Sequence, residues 1–309
     1  MLPGETPTLV ALETLPVLRG ARPGASVQFT DRYLSNRVRV LEAGPEPSPE
    51  RLAALRETVA GFDVPLHVDR LDRPSLREGA DRLRAAYREL PAVDLLREEF
   101  PGRCLALPEF LRAGGQIQYG LRLYFFRSGA GPDAGEVLDR NVDAVLADDQ
   151  RAFERYQGEL FGYPDCCVTA FEERAPGQPS PERRSVDPLA DALDADRLGD
   201  ADASVDEVVP DLFENPYAPA FYARKFYPEP RCDAARDRGE AVLEALTDAY
   251  GARLARDYVR LNYALAYWAA RAIEREGGDL PSVGALGAEQ AHLYRPLAET
   301  LALPRYADD

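Results

Sequence analysis

The sequence predicts an α/β (or α+β) protein, in which an N-terminal portion of alternating strands and helices precedes a mainly helical portion. The strongest observation concerns residues 117–126, where apolar side chains occur on both faces of a strand pattern, as in a covered central strand. Residues 135–161 place apolar side chains at helical spacing, and the same period recurs from residue 232 onward. We expect the first portion to span residues 1–132 and the second to span residues 133–309.

The first portion is predicted to alternate short strands with helices. Residues 37–41 alternate valine with arginine, which predicts a strand. Residues 48–59 begin with a Ser-Pro pair and continue with apolar residues at helical spacing, which predicts a capped helix. A second short strand is predicted over 64–68, with His67 on the face opposite its apolar neighbours. A helix is predicted over 74–89.

The second portion is predicted to begin with one long helix over 135–161. Between residues 173 and 210 the composition changes, because a loop rich in proline leads into an Asp-rich run with short apolar pairs. We expect this segment to be an acidic surface insert that is at best loosely helical. From Cys232 the apolar spacing predicts helices to the end of the chain.

The charge balance predicts adaptation to concentrated salt. The chain has 53 acidic and 37 basic residues, a formal net charge of −16, and Lys225 is its only lysine. Acidic residues occur in every segment, and in molar salt a Debye length of about 3 Å screens their mutual repulsion. Because no basic stripe is present to contact phosphates, we expect no nucleic-acid partner.

The sequence predicts neither a secretory signal nor a membrane-spanning segment. Its first residues lack a basic start followed by an apolar run, and no stretch approaches the roughly 18 apolar residues that span a bilayer. We therefore expect a cytoplasmic protein without a membrane partner. The composition identifies neither a small-molecule partner nor a protein partner.

Three common motifs can be set aside. Residues 129–135 resemble a phosphate-binding glycine loop, but the third glycine is one residue late, and a turn between a strand and a helix explains them. Residues 194–205 resemble a calcium loop that ends in valine where glutamate is required. His67 and His292 are the only histidines, so a three-histidine zinc site is impossible. We expect each histidine to be an ordinary polar residue.

The cysteines provide the one localised chemical candidate. Cys166 and Cys167 follow a Gly-Tyr-Pro-Asp run, and Cys232 follows a Tyr-Pro-Glu-Pro-Arg run. In both elements a Tyr-Pro pair and an acid precede a cysteine near the start of a predicted helix. This position favours thiolate, because unpaired N–H groups and the positive end of the helix dipole face the sulfur. The residues that we expect to support these cysteines are Tyr163, Asp165, Tyr227, Glu229 and Arg231.

Several chemistries fit this pattern. The three cysteines could bind a zinc ion or an iron–sulfur cluster, with a fourth ligand from Cys104, a carboxylate or an exogenous molecule, although adjacent cysteines are poor joint ligands. Cys232 could instead exchange a disulfide with one of the pair, the pair could form a strained ring, or one cysteine could be a nucleophile. The alternative is a non-catalytic structural or protein-interaction domain, in which the cysteines are buried packing residues and the acidic segment is a tether. Cys104 itself is expected to lie in the core.

One part of the chain resembles a known family. Residues 159–167, with Phe171 after them, are similar to the signature of an uncharacterised archaeal (haloarchaeal) family, domain of unknown function 483. In that family a leucine-rich helix leads into Gly-Tyr-Pro-x-Cys-Cys, and a later Tyr-Pro element with a cysteine begins a helix, as residues 227–232 do here. The resemblance covers residues 116–250. It implies no activity, but it does imply that the cysteines of both elements are the positions to examine.

Overall fold

The computed structural model divides into two compact units. Gly24–Gln157 form the first unit, and the described residues before Gly24 and after Gln157 form the second. The residues that the structure describes are 8–30, 49–50, 53, 57, 64, 66–88, 91–113, 115–173, 178–198, 200 and 203–275.

Within these residues the first unit contains a three-stranded antiparallel sheet with the strand order β1–β3–β2. The strands are β1 (Gly24–Thr30), β2 (Arg103–Ala113) and β3 (Gln116–Phe126). The prediction of a covered central strand is confirmed, because β3 lies between the other two and buries Phe125 on one face and Tyr124 on the other. The predicted mixed class of helices and strands is therefore confirmed.

Helices make up most of the remaining described chain. α2 confirms the helix predicted over 74–89 and buries Leu76, Ala80 and Leu83 on one face. The helices with described bounds are, in chain order, α1 (Thr8–Leu18), α2 (Arg73–Arg88), α3 (Pro91–Glu99), α4 (Ala134–Ala147), α5 (Gln150–Phe161), α6 (Asp165–Glu172), α7 (Pro181–Val186), α8 (Val205–Val208), α9 (Asp233–Tyr250) and α10 (Ala252–Arg275).

Two local predictions are wrong. The helix predicted over 135–161 is two helices, because Asp148 adopts a left-handed conformation with φ of 55° and its N–H bonds back to α4. The strand predicted over 64–68 is absent from the described part of that segment, where a short 3₁₀ helix begins at Val68 and His67 is exposed.

Some predictions concern residues outside the described part of the chain. The strand predicted over 37–41 and His292 lie there, and so does most of the helix predicted over 48–59.

The division between the units lies later than the boundary predicted after residue 132. Helix α4 packs on β2 and belongs to the first unit with the sheet. Asn141 of α4 makes this contact specific: its side chain accepts a hydrogen bond from the Phe110 N–H and donates one to the Phe110 carbonyl, both at 2.9 Å. β2 is an edge strand of the described sheet, so this amide satisfies backbone groups that a neighbouring strand would otherwise pair.

Replacing Asn141 with leucine is expected to lower the free energy of unfolding by about 2–4 kcal/mol, because two buried backbone groups of Phe110 lose their partner. Urea unfolding followed by far-ultraviolet circular dichroism measures this loss. Asp143→Asn on the exposed side of the same helix is the control, with an expected change below about 0.5 kcal/mol. Equal midpoints for the two variants would show that the amide contact contributes nothing.

The second unit is mainly helical, and its structure contradicts the prediction that residues 173–210 form an acidic surface insert. The Asp-rich segment supplies core residues, since Val186, Val205 and Val208 are buried in the same apolar cluster as residues of α9 and α10. Arg260 of α10 also donates to the carbonyl of Val209 at 3.1 Å. The prediction of a surface insert is wrong because valines far apart in the segment pack it against the helices. The segment has no continuous periodic pattern that would have indicated this packing.

Candidate functional site

The first cysteine element lies where α5 ends and α6 begins. Gly162 follows α5 with φ of 70°, a left-handed conformation that favours glycine, and a Cβ there would clash with the ring of Pro23. Pro164 caps α6, and its carbonyl accepts a hydrogen bond from the Cys167 N–H at 2.9 Å. The Gly-Tyr-Pro run therefore places Cys166 and Cys167 in the first turn of α6.

The second element places Cys232 directly at the N-cap of α9. Arg231 has a left-handed φ of 57°, and the Cys232 N–H donates to the Glu229 carbonyl at 3.2 Å, so the chain turns sharply before the helix. The Sγ of Cys232 accepts a hydrogen bond from the Ala235 N–H at 3.4 Å. A serine oxygen commonly has this capping role, so the sulfur is fixed by the helix that it starts.

The two helix starts bring three sulfur atoms together. The Sγ atoms of Cys166, Cys167 and Cys232 all lie within 4.8 Å of one another, and the Sγ atoms of Cys166 and Cys232 are 3.1 Å apart. Cys166 is exposed, Cys167 is buried and Cys232 is half-buried. The cluster therefore has one side that reaches solvent and one side in the core of the second unit.

Burial opposes negative charge on this cluster. It raises the pKa of Cys167, although the Glu229 N–H donates to that sulfur at 3.4 Å and acts in the opposite direction. Burial, and then the neighbouring Cys232, also raise the pKa of Cys166. The expectation that helix ends favour thiolate is wrong for these two cysteines, because burial and crowded sulfurs outweigh the N–H groups. A cation bound among the sulfurs would favour the deprotonated form.

The two tyrosines of the motifs pack against the apolar core of the second unit, which also contains Cys167. Tyr163 stacks on Phe226, with ring centroids 4.3 Å apart. Phe226 is buried in the apolar core of the second unit, and Tyr163 packs against that core. Burial raises the pKa of Tyr227, and the Glu182 carboxylate raises it further, so this hydroxyl stays neutral. Both tyrosines therefore contribute to the packing of the core that also contains Cys167.

The charged residues of the two motifs are not among the candidate ligands. Asp165 and Arg231 are exposed. Glu229 forms an ion pair with Arg184 at 3.0 Å, and Arg184 also donates to the Ala170 carbonyl at 2.6 Å. This bridge ties the segment before Cys232 to α6. In the described part of the chain, the group that could hold a metal contains cysteines only.

Cys104 does not belong to this group. It lies on β2 opposite Phe125, in the first unit, and burial raises its pKa to about 12. Its proposed use as a fourth ligand has no support from this placement.

The rejected glycine loop has a local explanation. Asp133 caps α4 and accepts hydrogen bonds from the N–H groups of Gly135 and Glu136, so the donors that a phosphate would need are already used.

Four residues near the first element had no recognisable sequence signal. Arg22 and Glu13 form an ion pair at 3.2 Å and are almost fully buried. Tyr222 is fully buried, and its hydroxyl has no hydrogen-bond partner among the described residues. Arg238 of α9 approaches Gly162, with its Nη1 atom 3.4 Å from the position of a Cβ there. None of the four belongs to a motif, and the sequence shows only that Arg238 follows Cys232 by six residues in a predicted helix.

Comparisons with known proteins give no match to a protein-family model, to a curated protein or to a solved structure. The resemblance through the Gly-Tyr-Pro-x-Cys-Cys run therefore stays a prediction. Among the described helices, none is both long and apolar enough to cross a membrane.

Proposed function

We propose that this protein binds one thiophilic metal ion, with Cys166, Cys167 and Cys232 as three thiolate ligands. The observation that carries the proposal is the separation of their sulfur atoms, all within 4.8 Å of one another. Sulfurs that bind one tetrahedral ion with bonds of about 2.3 Å stand about 3.8 Å apart, which lies between the 3.1 Å that separates Cys166 and Cys232 and the 4.8 Å within which all three sulfurs lie. Zinc is the ion that this ligand set fits best.

A single ion fits these distances better than an iron–sulfur cluster does. In a cubane cluster each cysteine binds a different iron, so the thiolates stand farther apart than around one ion. Cys166 and Cys232 have sulfurs in direct contact at 3.1 Å, which supports a shared ion. Adjacent cysteines were the objection to a joint site, but the Sγ atoms of Cys166 and Cys167 lie within 4.8 Å of each other and of the Cys232 Sγ.

The cysteine cluster fits a catalytic metal site better than a structural metal site in which protein ligands fill every coordination position. Catalytic zinc sites have three protein ligands and leave the fourth position for water or substrate, whereas structural sites have four. The cluster offers three ligands, and the exposed Cys166 puts one side of it at the surface. We therefore propose that the protein is a metal-dependent enzyme, in which the fourth coordination position of the ion would hold water or substrate. A non-catalytic domain with buried cysteines is less well supported, because Cys166 is exposed.

Substitution of the cluster cysteines is expected to abolish metal binding. Protein purified without oxygen in high salt should contain about one zinc per chain, and Cys166→Ser, Cys167→Ser and Cys232→Ser should each lose most of it, since three thiolates bind far better than two. Elemental analysis of the same samples measures this. Cys104→Ser is the matched control and should keep the metal. Zinc retained in all three cluster variants, or absent from the wild type, would contradict the proposal.

A dithiol activity is the second candidate, and the 3.1 Å contact between the sulfurs of Cys166 and Cys232 favours it. The Cys166 thiolate would attack a small-molecule disulfide and release one thiol, and the Cys232 thiolate would then displace the second thiol. This closes a disulfide in the protein, oxidises its two thiols and reduces one molecule of the small disulfide. Mass spectrometry of protein treated with glutathione disulfide should then show a disulfide between Cys166 and Cys232. In the Cys232→Ser variant the same treatment should instead leave a stable mixed disulfide between Cys166 and glutathione.

The proposed setting of this activity is the cytoplasm of a salt-adapted cell, on the basis of the acidic composition. Archaeal origin and salt adaptation stay predictions.

A further inference from the structure

The backbone of Glu229 connects the two cysteine elements. Its N–H donates a hydrogen bond to the Sγ of Cys167 at 3.4 Å, and its carbonyl accepts one from the Cys232 N–H at 3.2 Å. One residue is therefore bonded to a sulfur of the first element and to the residue that carries the sulfur of the second. A movement of Glu229 is expected to change the position of Cys232 relative to Cys167.

The side chain of Glu229 is held in turn by Arg184. The Nη2 atom of Arg184 lies 3.0 Å from Oε1 of Glu229, and the same atom donates to the Ala170 carbonyl at 2.6 Å. Ala170 belongs to α6, the helix whose first turn contains Cys166 and Cys167. One guanidinium therefore contacts both segments that supply the sulfur atoms.

Arg184 lies on a helix that is anchored by contacts outside the cysteine elements. Ser180 caps α7, and its Oγ accepts a hydrogen bond from the Arg183 N–H at 3.3 Å. At the other end of α7, Val186 is buried, and its carbonyl accepts a hydrogen bond from the Tyr263 hydroxyl of α10 at 3.2 Å. A side chain on an element fixed in this way can position the neighbouring segments.

The exposure of the ion pair indicates a larger effect on metal binding than on folding. The side chain of Arg184 is 22% exposed and that of Glu229 is 31% exposed. Ion pairs that reach solvent contribute little to stability, because water screens them and two long side chains lose their freedom. Groups that orient the ligands of a metal ion, by contrast, typically change its affinity about 10-fold to 100-fold when they are removed.

We propose that Arg184 is a positioning residue of the metal site. Through Glu229 and the Ala170 carbonyl, it holds the sulfur atoms of the two cysteine elements at the separation that one ion requires. This inference rests on the proposed metal site and adds that the affinity for the ion depends on a charged residue that is not a ligand. A direct electrostatic effect makes a different prediction: since Arg184 and Glu229 carry opposite charges, removing one charge or the other would shift metal affinity in opposite directions.

The test measures the zinc affinity of the full chain by competition with a chromogenic chelator in constant potassium chloride. Arg184→Met should weaken zinc binding about tenfold. Glu229→Ala should weaken it as well, and the double variant should lose no more than Arg184→Met alone, because both changes remove the same contact. Arg184→Lys, which keeps a charged donor, should recover part of the affinity.

Arg183→Met is the matched control, because Arg183 lies on the same helix and also pairs with an acid, Asp187, at 3.1 Å. It should bind zinc like the wild type. An Arg184→Met variant with wild-type affinity, or opposite shifts for Arg184→Met and Glu229→Ala, would overturn the inference.

A readout without metal separates this inference from the proposed function. In metal-free protein, glutathione disulfide should oxidise Cys166 and Cys232 to a disulfide and be reduced to two glutathione thiols, at a rate that depends on the same placement of the sulfurs. Arg184→Met should slow this step severalfold and keep the urea midpoint of Arg183→Met. A wild type that lacks zinc, with slower oxidation in Arg184→Met, would contradict the proposed function and support the positioning role. Equal oxidation rates, or a midpoint that falls together with zinc affinity, would contradict the positioning role.

Discussion

Replacing Glu13 with alanine is expected to lower the free energy of unfolding of the second unit by about 3–5 kcal/mol, the cost of leaving one charge of a buried ion pair uncompensated. Glu13 accepts hydrogen bonds from Arg22 at 3.2 Å, from the Arg224 N–H at 2.9 Å and from the Tyr258 hydroxyl at 2.6 Å. Burial alone would lower the pKa of Arg22, but Glu13 and the neighbouring tyrosine hydroxyls together outweigh burial and raise this pKa, so the guanidinium stays ionised. The variant therefore loses an ion pair and two further hydrogen bonds together.

The single tryptophan provides the measurement. Trp268 lies on α10 and packs against the core of the second unit, so its fluorescence during urea unfolding reports on that unit. Glu244→Gln, an exposed position on α9, is the control and should shift the midpoint by less than the equivalent of about 0.5 kcal/mol. A Glu13→Ala variant as stable as this control would show that the buried pair contributes no net stability.

Replacing Gly239 with alanine is expected to destabilise the second unit by about 3 kcal/mol, the upper range for forced overpacking. A Cβ at Gly239 would clash with the backbone carbonyl of Pro219, in the short 3₁₀ helix Ala218–Phe221 that packs against α9. Helix propensity predicts the opposite sign, since alanine in place of glycine inside a helix ordinarily stabilises it by about 1 kcal/mol. The direction of the change therefore distinguishes close packing from propensity.

The same clash should also reach the metal site. Because α9 begins at Cys232, a shift of this helix away from Pro219 moves the third sulfur relative to Cys166 and Cys167. We expect Gly239→Ala to lose zinc as well as stability, whereas Glu240→Ala, at the adjacent exposed position, should change neither by much. A stabilised Gly239→Ala protein with full zinc content would contradict the close approach of α9 to Pro219.

The sequence predicted those elements of the fold in which one local pattern dominates. β3 carries apolar residues on both faces, and α2 repeats them at helical spacing, so periodicity alone identified both. The break at Asp148 was missed, because the apolar spacing continues across it and an aspartate in the left-handed region leaves no pattern. The burial of Val205 and its neighbours was missed because the segment is acidic and its helices are short, which is typical of a surface segment. Tertiary packing against other helices buries these valines, and the local sequence does not show that packing.

The cysteine cluster could be predicted because the two elements repeat one local design. A Tyr-Pro pair before a cysteine at a helix start occurs twice, and the structure brings the three sulfurs together. The preference for thiolate was wrong for Cys166 and Cys167, since burial depends on tertiary contacts that the motif does not contain. Tyr222 and Arg238 were missed for a related reason, because only the fold places them beside the first element.

The central claim is that three thiolates bind one metal ion and leave its fourth position open. X-ray absorption at the zinc edge of the zinc-loaded protein tests this claim most directly, because it counts the atoms bonded to the ion and measures their distances. The account predicts three sulfur atoms at about 2.3 Å and one lighter atom at about 2.0 Å. A shell with no sulfur, with four sulfurs, or with a second metal atom close by would contradict it.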